Sequence, residues 1–360
     1  MNLHLIPNEK FSEKFIQLIE YDYPSDTNLV YMYPKGKFDI GNYNCCKKIK
    51  SFREIDFKKL DKGDKLYVHG FYDYGLIRFL CLHYREFKNN EFVMVIWGAD
   101  IYNAILLNKG EFHPVLFINE LFKKYLLGKC HIFMTFACTD YDIAKKWYKV
   151  NGKQFDCLYP PNVDIAQLDD LKLKKRPHDK CRILIGNSAA KTNNHIDAMR
   201  YLEHFKDENI EIVCILSYGG QEEYIKQVIN YGREKFGDKF VPILNYLPPS
   251  EYSRLLSEID IAVFNHNRQQ ATANIEILSY LGKKLFIRSD TTTWDHYVIR
   301  DKCSFYDTKS IQNMKYDDFV AFSEESIQNN VAYFRKIWDL NYVKSLWDDV
   351  MGFEYKDEKN

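Results

Sequence analysis

Short apolar segments alternate with helix-like segments along most of this chain, and each apolar segment ends near a small or polar residue. Parallel strands that are covered on both faces have this character, because few of their side chains meet water. The alternation therefore predicts an α/β protein with parallel sheets between layers of helices. The expected strands span residues 30–34, 65–70, 92–98, 131–137, 183–185, 211–216, 240–243, 261–264 and 284–287.

Helical spacing of apolar residues fills the intervals between these strands. Ser250 is a suitable N-cap for its segment, and Gly282 is a suitable helix end. The tail from 323 to 350 also has helical spacing and predicts a packing helix. The other expected helices span 74–86, 114–127, 140–149, 193–205, 221–235, 250–258, 271–281 and 294–298.

A charged segment with a proline, residues 169–182, separates two sets of strands. A chain of 360 residues is long enough for about two domains. We expect a first domain over 1–168, a linker over 169–182, a second domain over 183–322, and a terminal helix and tail over 323–360. A ligand would then bind in the cleft between the domains.

Composition narrows the classes of function. Lys+Arg and Asp+Glu both number 50, which argues against a dedicated nucleic-acid binder. The nine cysteines are scattered without a CxxC pair, which favours a reducing, cytoplasmic setting. We find no apolar run long enough to span a membrane, and the N-terminus lacks the apolar core of a signal peptide.

One loop of interest lies in RILIGNSAAKTNNHIDAMRYL, residues 182–202, where a buried strand ends at Gly186, Asn187 and Ser188. In open α/β sheets, ligands bind beyond the carboxyl ends of the strands. Gly186 would let the backbone approach a ligand, and the following helix would offer free N–H groups to an anion such as a diphosphate. Neither a P-loop nor a GxGxxG fingerprint is present, and an ordinary strand-to-helix turn remains the alternative.

A second loop, FNHNRQQATANIEIL at residues 264–278, also follows a strand. Arg268 with the flanking amides Gln269 and Gln270 precedes a helix, an arrangement suited to a diphosphate. Glu276 lies two turns into that helix, where a carboxylate could accept hydrogen bonds from sugar hydroxyls. Its alternative is an ordinary solvated helix residue.

Two further loops belong to the same edge of the expected sheet. One carries Tyr218 after the strand 211–216, and the other carries Tyr246 and Leu247 after the strand 240–243. Backbone groups of the second loop could hold a nucleobase while an aromatic ring packs nearby. Four loops of this kind on successive strands predict a nucleotide site.

These residues resemble those of known enzymes. The second half resembles the nucleotide-binding domain of GT-B glycosyltransferases. More narrowly, the chain resembles the bacterial family that transfers 4-acetamido-4,6-dideoxygalactose (N-acetylfucosamine) from TDP to a lipid-linked acceptor in enterobacterial common antigen assembly. The matching segments are WGADIY (97–102), ILIGNS with NNHIDAMRYL (183–202), RQQ (268–270) and TWDHY (293–297), with VHG (68–70) and YPPNVD (159–164) as looser matches.

The resemblance implies a GT-B fold, in which two Rossmann-like domains with parallel sheets face a cleft. It implies a dTDP-activated donor, a polyprenyl-diphosphate-linked acceptor, inversion at the anomeric carbon, and neither a metal nor another cofactor. Where retaining GT-B enzymes have two acidic residues eight positions apart, this chain has Arg268 and Glu276. The DYD at 140–142 fits a metal motif by its letters, but it opens a helix, where acidic residues are common.

Inversion by one displacement needs a base for the acceptor hydroxyl. In GT-B enzymes this base usually comes from the N-terminal domain. Asp100, which follows a strand, is the first candidate, and His69, at the end of another strand, is the second. Asp100 as a helix cap and His69 as a structural histidine are the alternatives. Trp97 and Tyr102 would stack on sugar faces of the acceptor, or simply pack.

PVLFINELFKKYLLGK, residues 114–129, predicts an amphipathic helix. Its apolar stripe and its lysines could lie on an anionic membrane, as a lipid-linked acceptor would require. We therefore expect a cytoplasmic protein in peripheral contact with the inner face of the plasma membrane. A helix that packs within its domain is the alternative.

Two other functions remain open. The first is a GT-B transferase that uses a UDP- or GDP-sugar for capsule or O-antigen, which base preference would distinguish. The second is a non-catalytic scaffold that binds nucleotide sugars, in which loss of Asp100 and His69 would change no product. The sequence fixes neither the sugar, the acceptor, the linkage nor the oligomeric state.

Overall fold

The computed structural model describes residues 1–36, 38–98, 100–102, 114–136, 138–161, 163–173 and 179–352. The chain divides into two compact units. The first unit comprises Met1–Asn162 and Ile337–Asn360, and the second comprises Val163–Lys336. The sequence suggested limits at 168, 182 and 322 instead.

The first unit is built on a parallel sheet of seven strands in the order β3-β2-β1-β4-β5-β6-β7. The strands are β1 (Asn2–Pro7), β2 (Asn28–Tyr33), β3 (Cys46–Lys48), β4 (Lys65–His69), β5 (Glu91–Ile96), β6 (Ile132–Thr135) and β7 (Lys153–Asp156). Its helices include α1 (Ser12–Asp22), α2 (Tyr74–Phe87), α3 (Pro114–Leu127) and α4 (Cys138–Tyr148).

The second unit has a parallel sheet of six strands in the order β10-β9-β8-β11-β12-β13. The strands are β8 (Cys181–Ile185), β9 (Ile210–Ile215), β10 (Phe240–Ile243), β11 (Ile261–Phe264), β12 (Lys284–Ile287) and β13 (Tyr306–Asp307). The helices include α5 (Ile165–Leu173), α6 (His195–Leu202), α7 (Glu222–Phe236), α8 (Pro249–Glu258), α9 (Thr272–Tyr280) and α10 (Glu324–Ile337), with shorter pieces at Thr292–Trp294, Asp295–Arg300 and Tyr316–Val320.

A last helix, α11 (Leu340–Met351), returns the chain to the first unit. Its Trp347 is fully buried among residues of α1 and the first sheet, and the indole Nε1 donates to the carbonyl of Leu158 at 2.7 Å. The tail is therefore two helices separated near Asp339, and the expected single helix over 323–350 was wrong. Asp339 itself caps α11 by accepting from the backbone N–H of Tyr342.

The parallel α/β architecture is confirmed, and helix α3 has the bounds that its periodicity predicted. Gly282 follows α9 with φ +75°, as expected of a helix end. Ser250 is not an N-cap, because Pro248 holds that position and α8 begins at Pro249. Helix α5 occupies the first part of the expected linker, and residues 174–178 lie outside the described residues. Four strands were not predicted, namely β1, β3, β7 and β13.

Candidate functional site

The second sheet has one point at which its strand order reverses. Strands β9 and β10 lie on one side of β8, and β11, β12 and β13 lie on the other. The loops after β8 and β11 therefore diverge at the carboxyl edge of the sheet and leave a crevice where α/β proteins bind ligands. These two loops carry Gly186, Asn187 and Ser188 on one side, and Arg268, Gln269 and Gln270 on the other.

Gly186 makes a turn that other residues would resist. Its φ is +66°, a left-handed conformation that L side chains rarely adopt. A Cβ atom there would lie 2.6 Å from Nε2 of His195 and 2.9 Å from Oδ1 of Asn193. The missing side chain thus lets the loop fold back onto the first turn of α6.

A buried amide, Asn193, holds this loop from below. Its Oδ1 accepts from the backbone N–H of Asn187 at 3.0 Å and from Nε2 of His266 at 3.0 Å. Its Nδ2 donates to Ser188 Oγ at 3.2 Å and to the Ala190 carbonyl. One side chain therefore fixes both polar residues that the sequence predicted after β8.

Two histidines beneath the loop are uncharged at neutral pH. Burial lowers the pKa of His195 to about 4, and burial with a contribution from His195 lowers the pKa of His266 to about 3. His195 Nδ1 lies 3.1 Å from the Tyr224 hydroxyl. These two histidines would therefore offer an anion bound at this loop neutral dipoles rather than a positive charge.

The loops after β8 and β11 are joined across the crevice. Gln270 Nε2 donates to Asn187 Oδ1 at 3.1 Å, and Thr192 Oγ1 donates to Gln270 Oε1 at 2.7 Å. Asn194 Nδ2 also donates to the carbonyl of Asn265 at 2.9 Å. The structure thus brings together Asn187 and Gln270, which lie 83 residues apart.

Arg268 supplies the positive charge of this region. Its side chain is exposed, and the hydrogen bond that the structure describes for it goes to the neighbouring Gln269 carbonyl at 3.2 Å. Helix α9 begins four residues later, after Ala271 with φ +61°, and no side chain caps it among the described residues. A guanidinium beside uncapped N–H groups can bind a diphosphate.

The remaining predicted donor residues lie on neighbouring elements. Tyr218, after β9, is 55% exposed and accepts from Asn187 Nδ2 at 3.4 Å, so it joins the crevice. Tyr246 and Leu247 follow the edge strand β10, and no described hydrogen bond links them to the pair Asn187–Gln270. Glu276 lies within α9 and accepts from the buried Tyr297 hydroxyl at 3.3 Å.

Asp100 in the first unit is fully buried at a turn. Its carboxylate accepts from the backbone N–H of Phe71 at 2.9 Å and of Trp97 at 3.0 Å, and burial raises its pKa. Lys123 Nζ donates to its carbonyl at 2.6 Å. These contacts hold the loops after β4 and β5 together, and a catalytic role for Asp100 stays a prediction.

His69 is also fully buried, in a chain of hydrogen bonds through the sheet. Asn28 Oδ1 can only accept, so His4 Nε2 carries the proton between them, at 3.2 Å. His4 Nδ1 then accepts from His69 Nε2 at 3.1 Å, and His69 Nδ1 accepts from the Tyr159 hydroxyl. That hydroxyl accepts from Trp97 Nε1 at 3.1 Å. Both ring nitrogens of His69 are thus engaged, and its catalytic role stays a prediction.

The two predicted acceptor aromatics differ in their surroundings. Trp97 is half-buried and ends the chain from His69. Tyr102 donates to Asp140 Oδ1 at 3.2 Å. Burial of the Asp140 carboxyl raises its pKa to about 7. Ala99, within the WGADIY segment, lies outside the described residues. In the part of the chain that the structure describes, no three His, Cys, Asp or Glu residues are grouped to hold a metal.

Several residues of these loops were not singled out from the sequence. Thr192 and Asn193 lie in a 3-10 turn. Thr192 precedes the stretch expected to be helical and Asn193 is its first residue, so both looked like the ordinary polar start of a helix. His266 and the first-unit pair Glu9 and Tyr72 were also missed. For His266 the available signal was its position two residues after the buried strand β11, whereas Glu9 offered none, because β1 itself was not predicted.

Comparisons with solved structures identify the fold. A glycosyltransferase from Rickettsia africae ESF-5 shares 12% identity with this chain, covers 97% of both chains, and superposes with a TM-score of 0.64. Sucrose-phosphate synthase from Thermosynechococcus elongatus shares 10% identity over 98% of this chain and 99% of its own, with a TM-score of 0.65. A UDP-forming trehalose-phosphate synthase from Burkholderia vietnamiensis shares 9% identity over 98% of this chain and 99% of its own, with a TM-score of 0.62.

At these identities the likeness shows the fold alone, and that fold is GT-B. A family model gives the activity. Residues 25–350 match the model described as 4-alpha-L-fucosyltransferase, glycosyl transferase group 56. Because this match covers most of the chain, both units included, the protein is a glycosyltransferase with a GT-B fold and belongs to the 4-alpha-L-fucosyltransferase family, group 56.

Proposed function

We propose that the protein transfers an N-acetylfucosamine-like deoxyamino sugar from a dTDP donor to a polyprenyl-diphosphate-linked saccharide in surface-polysaccharide synthesis. The transfer inverts the anomeric carbon and proceeds without a metal. The second unit binds the donor, and the first unit binds the acceptor and supplies the base. The fucosyl family to which the chain belongs supports a 6-deoxy sugar, and the WGADIY and RQQ segments support the narrower choice.

The observation that carries the proposal is the crevice between β8 and β11. Asn187 and Gln270 are hydrogen-bonded across it, and Arg268 lies exposed beside the uncapped start of α9. The departing nucleoside diphosphate gains negative charge in the transition state, and fixed donors aimed at that charge lower the barrier. Arg268 and the N–H groups of α9 would take the part that a metal takes in other transferases.

A lipid-linked acceptor requires access to a membrane, and helix α3 supports this. The helix is inverted relative to an ordinary surface helix: its polar residues Asn119, Glu120 and Lys123 are buried. Its exposed side chains are large and apolar, namely Val115, Phe117, Ile118, Leu121, Phe122 and Tyr125, each at least 38% exposed. Contiguous exposed apolar surface of this kind marks an interaction site.

Polar contacts explain why α3 keeps this orientation. Glu120 accepts from the hydroxyls of Tyr74 at 2.7 Å and Tyr148 at 2.6 Å, and pairs with Lys123 at 3.0 Å. Lys123 also donates to the Asp100 carbonyl. Rotating the helix to bury its apolar face would separate Glu120 and Lys123 from their buried partners. Losing these contacts costs more than burying the apolar side chains would gain.

Exposed cations occur on α3 and on the helix packed beside it. Lys124 and Lys129 are exposed at the end of α3, and Arg78 and Arg85 are exposed on the neighbouring α2. An apolar helix face that can insert among lipids, together with nearby basic side chains, suits an anionic bilayer. No helix among the described residues is long and apolar enough to cross a membrane. We therefore propose peripheral contact with the inner face of the plasma membrane through residues 114–129.

The donor site is tested by thermal unfolding with dTDP, UDP, GDP and ADP. A ligand at a hundredfold excess over its Kd stabilises the folded state by about 2.7 kcal/mol, which raises the midpoint by roughly 5 °C or more in domains of this size. We expect that rise with dTDP and its loss in Arg268→Ala. Arg200→Ala, which removes an exposed arginine paired with Asp197 on α6, is the matched control and should respond as the wild type does.

Other outcomes have distinct meanings. A preference for UDP or GDP would keep the donor site and reject the proposed donor, in favour of a transferase for another nucleotide sugar. Binding of dTDP without transfer from any dTDP-sugar to a lipid-linked saccharide would contradict the catalytic part of the proposal. An unchanged response in Arg268→Ala would show that the diphosphate lies elsewhere.

A further inference from the structure

The first sheet also reverses its strand order once. Strands β2 and β3 lie on one side of β1, and β4 to β7 lie on the other. The loops after β1 and β4 therefore flank the crevice at the carboxyl edge of this sheet, where a ligand of the first unit is expected. Glu9 lies on the first of these loops, and Tyr72 lies on the second.

Glu9 is held in place but remains accessible. Tyr72 donates to its Oε1 at 3.3 Å, and the carboxylate is half-buried. Its backbone is anchored by Ser12, whose N–H donates to the Glu9 carbonyl at 2.9 Å and whose hydroxyl donates to Pro7 at 2.6 Å. Burial and the nearby Glu9 carboxylate raise the pKa of Tyr72, so this hydroxyl stays a donor.

The ring of Tyr72, whose hydroxyl contacts this carboxylate, belongs to a cluster of aromatic side chains. The rings of Tyr72 and Trp97 lie 6.0 Å apart, and Phe11, 40% exposed, meets Trp97 edge-on at 6.3 Å. Gly70, with φ +70°, lets them approach, because a Cβ there would lie 2.7 Å from the Tyr72 ring and 2.9 Å from that of Trp97. Aromatic faces beside a carboxylate bind the apolar face and the hydroxyls of a pyranose.

A general base must offer a lone pair that the substrate can reach. Both carboxylate oxygens of Asp100 accept backbone N–H groups, and the residue is fully buried. Both ring nitrogens of His69 are engaged inside the sheet. Glu9 combines an anchored backbone, one oriented oxygen and access to solvent.

We propose that Glu9 is the general base of the transfer reaction, which presupposes the proposed function. Its carboxylate removes the proton of the acceptor hydroxyl as that oxygen attacks the anomeric carbon of the donor. The new C–O bond forms while the bond from the anomeric carbon to the diphosphate oxygen breaks, and the nucleoside diphosphate leaves with the electron pair. Tyr72 orients the carboxylate, and Glu9 becomes the protonated acid.

The first test is Glu9→Gln in the full chain, which keeps the size and polarity of the side chain and removes the base. We expect kcat to fall by about 10²–10⁴-fold. The thermal shift with nucleotide should remain that of the wild type, because the donor loops belong to the other unit. The matched control is Glu13→Gln, whose carboxylate accepts from the Gly41 N–H and the Tyr43 hydroxyl instead of from Tyr72, and whose kcat should change by less than about threefold.

The second test distinguishes a base from a structural carboxylate. In Glu9→Ala, added formate should restore transfer at least several-fold, because a small carboxylate can occupy the space and accept the proton. Formate should not change the wild type or Glu13→Ala.

The outcomes separate the two proposals. If the wild type transfers sugar and Glu9→Gln does so equally fast, Glu9 is not the base and only this inference fails. Slow transfer without formate rescue would make Glu9 a structural residue and would also overturn it. A wild type that transfers no sugar under any condition would contradict the proposed function, and this inference with it.

Discussion

Gly186 shows how one residue shapes the crevice between β8 and β11, the proposed donor site. Its positive φ turns the loop after β8, and the absence of a side chain leaves room for His195 and Asn193 beneath it. Asn193 then bonds Asn187 and Ser188 from below. The polar edge of the second sheet thus depends on one backbone conformation that is easy only for glycine.

Gly186→Ala should therefore impair both stability and donor binding. A left-handed alanine costs about 1–2 kcal/mol, and the contact with His195 and Asn193 adds to this cost or displaces the loop. We expect a lower midpoint of thermal unfolding and nucleotide affinity reduced about tenfold or more, measured by calorimetry with dTDP. Gly63→Ala is the control, since Gly63 has φ +96° with no atom within 4 Å of its added Cβ. Equal dTDP affinity in the two variants would contradict this role.

Sequence reasoning identified residues at the edge of this crevice but none of the contacts between them. Gly186, Asn187, Arg268 and Gln270 could be predicted, because a polar residue directly after a buried strand lies at the ligand-binding edge of a parallel sheet. The pair His266–Asn193, 73 residues apart, could not be predicted, because it depends on which strands are neighbours.

The same limit applies in the first unit. Asp100 was chosen because it follows a strand and His69 because it ends one, yet that criterion does not distinguish a side chain that faces solvent from one that is buried in a turn or a sheet. Glu9 and Tyr72 are 63 residues apart and meet only because β1 and β4 are adjacent.

Among the secondary-structure elements, helix α3 shows what could be predicted from the sequence and what could not. Its bounds followed from Pro114 and from the spacing of its apolar residues. Its orientation did not follow, because periodicity identifies two faces without saying which one is buried. Partners from other elements decided this: Tyr74 and Tyr148 bond Glu120.

Strand β1 was missed for a related reason. Its six residues are all buried, but they include His4 and Asn2, so the segment lacked the uniform apolar character expected of a central strand. His4 is tolerated because Asn28 and His69 bond both of its nitrogens. A satisfied polar side chain inside a sheet cannot be recognised before its partners are known.

If α3 contacts a bilayer, Leu121→Glu should weaken that contact. Withdrawing one leucine from an apolar phase costs about 1.5–3 kcal/mol, and the added carboxylate is repelled by anionic lipid. We expect at least tenfold weaker cosedimentation with vesicles containing phosphatidylglycerol, and little binding of the wild type to phosphatidylcholine alone. Leu173→Glu, at a leucine that is 87% exposed on α5, is the matched control. Equal binding of both variants, or no binding by the wild type, would count against α3 as the contact.

At the scale of the whole molecule, both units depend on neutral histidines. Burial lowers the pKa of five buried histidines: to about 3 for His4 and His266, to about 4 for His195 and His296, and well below the usual value for His69. Below a pH of about 6.5 the unfolded chain would bind protons at these sites and the folded chain would not. The free energy of unfolding should therefore fall as the pH falls.

The expected loss is large. Each of these sites acts in the same direction and contributes at most about 1.4 kcal/mol per pH unit once the pH is well below 6.5. Asp140, whose pKa rises to about 7, opposes this with one proton bound in the folded state. Against a usual stability of about 5–15 kcal/mol, we expect a clear loss of stability between pH 7 and pH 5.

Thermal midpoints at pH 7, 6 and 5 check this expectation. His266→Gln should flatten the dependence, because the amide can still donate to Asn193 but does not titrate. A midpoint that is constant from pH 7 to pH 5 would contradict the acid sensitivity.

The return of α11 to the first unit has a consequence for synthesis on the ribosome. The sheet of the first unit is translated first, but Trp347, which covers it beside α1, follows only after the whole second unit. At about 5–20 residues per second, the interval is roughly ten to forty seconds. During that time the apolar side chains that Trp347 packs against in the folded protein, Phe15 and Tyr67 among them, lack this cover, so the first unit can complete its core only after the second unit has been made.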